Sequence, residues 1–335
     1  MMFTAIFSSV EAGFIYAIMA LGVYLSFRIL DFPDLTVDGS FVTGAAVASV
    51  LMINGTNPFV ASAVALLAGF IAGCLTGLLH TKGKINPLLS GILMMIALYS
   101  INLRIMGRSN VPLLQQETVM TTVTKVWQNA GIDEAINSVI SLQAFVPKTW
   151  AILFCMALTV FIIKLLLDQL LKTEIGLALR ATGDNKRMIS SFSANTDLLT
   201  IFGLGLSNAL VAFSGALVAQ YGGFSDIGMG IGMIIIGLAS VIIGEALFGA
   251  RSIARATLAV IGGSIVYRII VALALRVQFL ETGDVKLITA LIVMIALIFP
   301  NVVSSQKEKR RKKRRAQATE RGERVATAKT DYKSI

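Results

Sequence analysis

The stretch Pro58 to Leu79, PFVASAVALLAGFIAGCLTGLL, runs for 22 residues without a charge. At about 1.5 Å per residue a helix of that length reaches across the ~30 Å hydrocarbon layer of a bilayer. Lipid cannot satisfy an open backbone, so the run must be helical. Comparable runs recur near residues 4–27, 37–53, 87–106, 150–171, 198–220, 229–248, 256–275 and 286–300. We therefore read the chain as all-α, a polytopic integral membrane helical bundle of about nine transmembrane helices. The second and last runs are short and the seventh is rich in glycine. Re-entrant or broken helices are expected there and would change the count by one.

Composition agrees with this reading. Of 335 residues 56% are hydrophobic and 14% charged, and the mean hydropathy is +0.79. A water-soluble domain of this size needs no such excess for its core. The net charge of +10 is concentrated at one end: Gln306 to Ile335 holds twelve Lys/Arg against four Asp/Glu. Basicity confined to a tail argues against a nucleic-acid partner. Cys74 and Cys155 both lie in apolar runs, where a free cysteine behaves as a small hydrophobe, so neither a disulfide framework nor a metal site is expected. The one histidine, His80, ends an apolar run beside Lys82 and Lys84 and reads as interfacial. Catalysis built on His or Cys has almost nowhere to stand. The first run begins almost at Met1 with no basic n-region, and it is expected to stay as a span, not to be removed as a signal peptide.

Orientation follows from the cations in the connections. One set carries Arg28, Lys82, Lys84, Lys172, Arg180, Lys186, Arg187, Arg251 and Arg255; the other, spread over longer connections, carries Arg108, Lys125, Lys148, Arg276 and Lys286. The denser set is expected to be cytoplasmic, which puts the tail inside and the N-terminus outside. Residues 1–303 form the membrane domain and 304–335 a basic cytoplasmic tail, expected to be disordered, whose run KEKRRKKRR would sit against anionic lipid. The outer connection, 107–149, is too polar to span, but its Val, Ile and Trp127 suit short amphipathic helices on the outer face.

Three stretches stand out. In the inner loop, 172–197, Glu174 to Ala181 has apolar residues at helical spacing with Arg180 on the opposite side; Gly183 is expected to stop this helix with positive φ, and Asp184 and Asn185 to cap the next. A short helix projecting from a bundle is suited to a groove on a cytoplasmic partner. Between the first two runs, FPDLTVDGSFVTGAA (Phe32 to Ala46) follows Asp31 and holds Pro33, Asp34, Asp38 and Gly39. Pro33 forbids a continuing helix, and Thr36 or Asp38 is expected to cap the next. The third, Phe224 to Gly249, has glycines at 228, 230, 232, 237, 244 and 249, which allow close helix approach. Its Glu245 is expensive in an apolar span and should face a cavity, a partner or Lys/Arg.

Together these strings, above all GLALRATGDN (Gly176 to Asn185), resemble the branched-chain amino acid type permeases of bacterial ABC importers, in the branch found with tryptophan- and tyrosine-type substrate-binding lipoproteins. The resemblance covers about residues 4–300. It implies a transport subunit in the bacterial plasma membrane that is not itself an enzyme. No G-x-x-x-x-G-K-[ST] string occurs, so ATP and Mg would belong to a partner ATPase, and no cofactor is expected on this chain. Glu174, Gly176, Arg180, Ala181, Gly183, Asp184 and Asn185 would couple to that ATPase. The resemblance further implies a second copy of the chain and an extracellular binding lipoprotein delivering a small solute, an amino acid and in this branch an aromatic one, for alternating access. The small-residue faces from Gly228 to Gly244 are expected in the contact between copies, because they allow close helix approach.

Polar residues inside or beside the spans are the candidates for the solute pathway: Asp38, Asn102, Arg104, Asn208, Gln220, Glu245 and Arg268. Tyr267 lies beside the last of these. For Arg104 and Arg268, near span ends, snorkelling is the competing account. A secondary transporter or channel is the alternative function. That class would favour acids or hydrogen-bonding pairs mid-span and inverted repeats.

Overall fold

The computed structural model describes residues 2–140, 147, 149–191 and 195–274, with the isolated positions 287, 290, 291 and 294. The chain divides into a unit of residues 1–289 and one of 290–335; the architecture below is that of the first. The ninth expected span, 286–300, apart from those four helical positions, and the basic tail lie outside the described residues.

Among the described residues seven helices are long and apolar enough to cross a bilayer, and their bounds fall close to those read from hydropathy. Helix α1 (Met2–Val23) continues as a π-helical turn, Tyr24–Ile29; α2 is Thr36–Ile53, α3 Pro58–Thr81 and α4 Pro87–Met106. Strand β1 (Asn110–Pro112) and the short helices α5 (Val119–Asn129) and α6 (Ile132–Ile140) make up the connection to α7 (Ala151–Lys172). Helix α8 (Glu174–Ser191) leads to α9 (Thr196–Gly222), and β2 (Phe224–Asp226), α10 (Met233–Phe248) and α11 (Ile253–Ala274) follow.

Asn57 and Asn86 start α3 and α4 in the same way, each side chain accepting the N–H two residues on and each followed by a proline at the first helical position. Helices α1, α2 and α9 are innermost, 72% buried, whereas α4 is only 28% buried. Contact between α3 and α9 depends on Gly69, Gly73 and Gly77, one residue per turn. A Cβ at Gly77 would sit 2.7 Å from Ile201 Cα, and Gly69 and Gly73 lie as tightly against the backbones of Asn208 and Leu204. Lipid gives helices no hydrophobic drive to associate, so this close packing is what holds the pair.

The amphipathic helices expected in the 107–149 connection are present as α5 and α6. Thr118 and Thr121 close a reciprocal capping box at the start of α5. Trp127 stacks on Phe154 of α7 at 5.7 Å. Gln220 fastens this layer to the bundle: its Oε1 accepts from Val119 N at 2.9 Å and its Nε2 donates to Ser62 Oγ at 2.8 Å.

Two expectations need correction. The seventh run does not begin a helix at 229. Phe224–Asp226 pairs antiparallel with Asn110–Pro112, the chain turns through the glycines that follow, and α10 starts at Met233 after Gly232 at φ 87°. With 16 residues α10 is short for a full crossing. Its glycines 237 and 244, and Gly230 before it, are also engaged within the chain and are not open to a second copy, whereas Gly228 and Gly232 of the expected face pack on no other element. A Cβ on Gly237 would meet Val23 at 2.6 Å, one on Gly244 would meet Ala259 C at 2.6 Å, and Gly230 abuts the Asp38 backbone. Wedging so short a helix between α1 and α11 takes up Gly237 and Gly244, while Ala246 stays exposed.

Candidate functional site

The loop that links α7 to α9 is one candidate. Gly176 packs on the backbone of Leu170 and Leu171, and Leu179 is fully buried against Gly203. Gly183 abuts the carbonyls of Ile29 and Leu30, where the π-helical turn ends. Three inward contacts leave the other side of α8 exposed: Ile175 and Leu177 are about half exposed, Glu174, Asp184 and Asn185 are exposed, and Lys186 pairs with Asp197 at 3.5 Å.

Details of the expected motif change. Gly183 is not among the residues with positive φ. The helix runs through it and breaks at Asn185 (φ −152°, ψ 88°), whose Oδ1 accepts from Met188 N at 3.1 Å, so Asn185 is the cap of the second segment. Glycine is required at 183 for close approach, since any Cβ would enter the α1 backbone. Arg180 also sits otherwise than expected. It is half-buried and lines a polar cavity of about 390 Å³ together with Arg28, Asp31 and Asp184. Ala181 is half-buried beside it.

Glu245 has the cation its position demanded. Arg28 Nε in the π-helical turn donates to its Oε1 at 3.1 Å, tying the end of α10 to the end of α1. The caps expected from Thr36 or Asp38 are not made at α2. Instead Asp34 Oδ1 accepts Thr36 N at 3.0 Å, and Asp38 reaches across to α10, its two oxygens accepting from Gly232 N at 2.9 Å and Ile234 N at 2.8 Å. A carboxylate at a helix N-terminus complements the orphan donors and the positive end of the dipole.

Of the candidate pathway residues the structure brings two together. Asn102 Nδ2 donates to the carbonyl of Gly39, next to Asp38, at 3.1 Å, and both Asp38 and Asn102 line a cavity of about 450 Å³ between α2, α4 and the turn before α10. The others lie elsewhere. Arg104 is exposed in the last turn of α4, Arg268 stacks 4.0 Å over the Tyr16 ring, and Asn208 donates to the fully buried Asp34 at 2.6 Å. Sequence reasoning missed Tyr99, although its position three residues before Asn102 puts both on one helical face. It also missed the buried pair Lys164–Asp168 in α7, 2.6 Å apart, with Thr257 of α11 donating to the same carboxylate at 2.7 Å. Their i, i+4 spacing in an apolar run was the available signal.

A bundle of apolar helices long enough to cross a bilayer, with a braced loop helix and a chiefly apolar cavity, has the form of a polytopic membrane protein. The family model described as "Branched-chain amino acid transport system / permease component" matches residues 5–309, and the chain belongs to that family: it is the permease component of an ABC-type transport system for amino acids. It is similar to the tyrosine transport system permease protein of Clostridioides difficile, 43% identical over 91% of this chain and 94% of the relative. A probable branched-chain amino acid transport permease protein of Methanocaldococcus jannaschii is 28% identical over 62% of this chain and 64% of its own length. A solved inward-facing ABC transporter of metal-chelate type aligns over 90% of this chain and 85% of that one, with a TM-score of 0.45 and 17% identity.

Proposed function

We propose that the chain is the translocation subunit of an ABC importer, passing an aromatic amino acid from an extracellular binding lipoprotein to the cytoplasm by alternating access. The observation that carries this reading is α8, a helix fixed to the membrane domain through Gly176, Leu179 and Gly183 while Ile175 and Leu177 stay exposed. An apolar pair on a braced helix among exposed polar residues suits a groove on a cytoplasmic ATPase, where ATP and Mg would bind. The side carrying α8 is then cytoplasmic, the N-terminus lies outside, and a second copy of the chain completes the pathway. The name of the C. difficile relative supports tyrosine as the solute. Two intramembrane acids of the kind a secondary transporter would use are engaged within the chain, Asp168 by Lys164 and Thr257 and Asp34 by Asn208 and Thr36.

The test is reconstitution with the candidate ATPase and binding protein in proteoliposomes. Uptake of labelled tyrosine should require ATP, and Leu177→Glu should release the ATPase on purification. Uptake that proceeds without ATP, or driven by an ion gradient alone, refutes the importer.

A further inference from the structure

We propose that the cavity between α2, α4 and the turn before α10 is the solute-binding site, taking the ammonium group of an amino acid at Asp38 and Asn102 and its large side chain along Tyr99 and Met95. The proposal rests on the importer reading and supplies what that reading lacks, the position of the solute and the groups that select it.

At about 450 Å³ the cavity is within the range of small-molecule sites. Its walls are chiefly apolar, with Met95 and the Tyr99 ring on α4 and Ile231 on the turn before α10. Polar groups gather where α2 meets α4. Asn102 is fully buried, and with its Nδ2 committed to the Gly39 carbonyl, its Oδ1 has no hydrogen-bond partner. That bond also fixes the orientation of the amide, so the vacant atom is an acceptor. Leaving a buried acceptor unsatisfied is costly, and such groups call for a donor. Asp38 lines the same cavity with a carboxylate that accepts from Gly232 N and Ile234 N, with Met233 N a further donor, and the about four lone-pair sites of a carboxylate are not all used by these.

The polar end of the cavity is therefore rich in acceptors and carries a negative charge that the α10 N-terminus offsets only in part. An ammonium group, with three donors and no acceptor, is its complement; a carboxylate would be repelled. The open side of the cavity is lined by Tyr99 (53% exposed) and Ile231 (63% exposed). An aromatic ring fits along Tyr99 in offset or edge-on contact, with the Met95 thioether as a second soft surface.

The experiment uses the permease with its ATPase, without the binding lipoprotein, in lipid nanodiscs and proteoliposomes, with tritiated tyrosine as the probe. Saturable binding should weaken about tenfold in Asn102→Val, which removes the acceptor, and similarly in Tyr99→Ala, while Tyr99→Phe retains it. Tyrosine lacking its amino group should fail to compete; tyramine, which keeps it, should compete. Tyr99 is exposed, so its variants test the site without disturbing the fold, and ATP hydrolysis by each complex reports that assembly is intact. Unchanged tyrosine binding in both Asn102→Val and Tyr99→Ala overturns the proposal, as does binding that never saturates, the mark of a space filled by lipid. The importer reading fails separately: ATP-independent uptake refutes it, and binding lost in the same two variants would still place the solute here.

Discussion

Gly183→Ala is the smallest change that tests whether α8 is held in a defined place. A Cβ at this position would lie 2.9 Å from Leu30 C and 3.0 Å from Ile29 C, with the Ile29 carbonyl oxygen nearer still. Ordinary carbon–carbon contact needs about 3.5 Å, so the carbons alone fall short by about 0.6 Å and the oxygen raises the required movement to about 1 Å. The obstacle is backbone at the end of α1, which cannot rotate away as a side chain can. Overpacking of this kind costs about 1–3 kcal/mol, unless α8 moves off the bundle and avoids the strain. Either outcome displaces Ile175 and Leu177, whose docking would then fail in register.

Co-purification of the ATPase and ATP-dependent uptake are the measurements. Gly183→Ala should reach the membrane at normal levels but retain less ATPase and lose most uptake, and Gly183→Val should be worse. A Gly183→Ala complex with full ATPase content and uptake would show that the contact with Ile29 and Leu30 does not position the loop helix.

Three further outcomes are expected. Asp168→Leu alone leaves Lys164 buried without its partner and should cost about 3–5 kcal/mol in thermal unfolding, much of it recovered by adding Lys164→Met; a double variant no better than the single would refute the pairing argument. Asp38→Asn keeps one acceptor oxygen and loses the charge, so α10 should lose about 1 kcal/mol at its start, seen as faster hydrogen exchange of the Gly232 and Ile234 amides. Cysteines placed at Asp133 and Thr319 should be labelled from outside intact cells only at 133; the reverse pattern would invert the orientation.

The spans were legible because each long apolar run has one solution in lipid, and because Asn57–Pro58 and Asn86–Pro87 mark two starts with local chemistry. What the sequence left hidden were pairings between distant segments. Asp38 looks like a cap for its own helix, and nothing local says that the donors it satisfies lie at 232 and 234. Gly183 looks like a C-terminal glycine, because a need for close approach and a need for positive φ select the same residue. Of the candidate pathway residues, Asp38 and Asn102 line one cavity, Asn208, Gln220, Glu245 and Arg268 are engaged by other segments, and Arg104 is exposed, since polarity inside a span does not show which partner a residue has.

The two candidate regions are joined through α10. At its N-terminus the backbone donors of Gly232 and Ile234 are held by Asp38, which lines the cavity. In its last turn Glu245 is held by Arg28. Arg28 belongs to the π-helical turn whose last residue, Ile29, abuts Gly183 of α8. One 16-residue helix is thus clamped at both ends by charged groups, one clamp beside the cavity and the other beside the loop helix. A π-helical turn is a less regular element than the α-helix it extends, so the end of α1 is a suitable place for the backbone to yield. Movement of α8 against Ile29 would then be carried to the mouth of the cavity by rotation of α10, without rearranging the lipid-facing surfaces of α3, α4 and α7. Breaking the Arg28–Glu245 clamp with Glu245→Gln should therefore leave tyrosine binding intact and slow ATP-dependent uptake. Loss of both together, or of neither, would separate α10 from the link between the two regions.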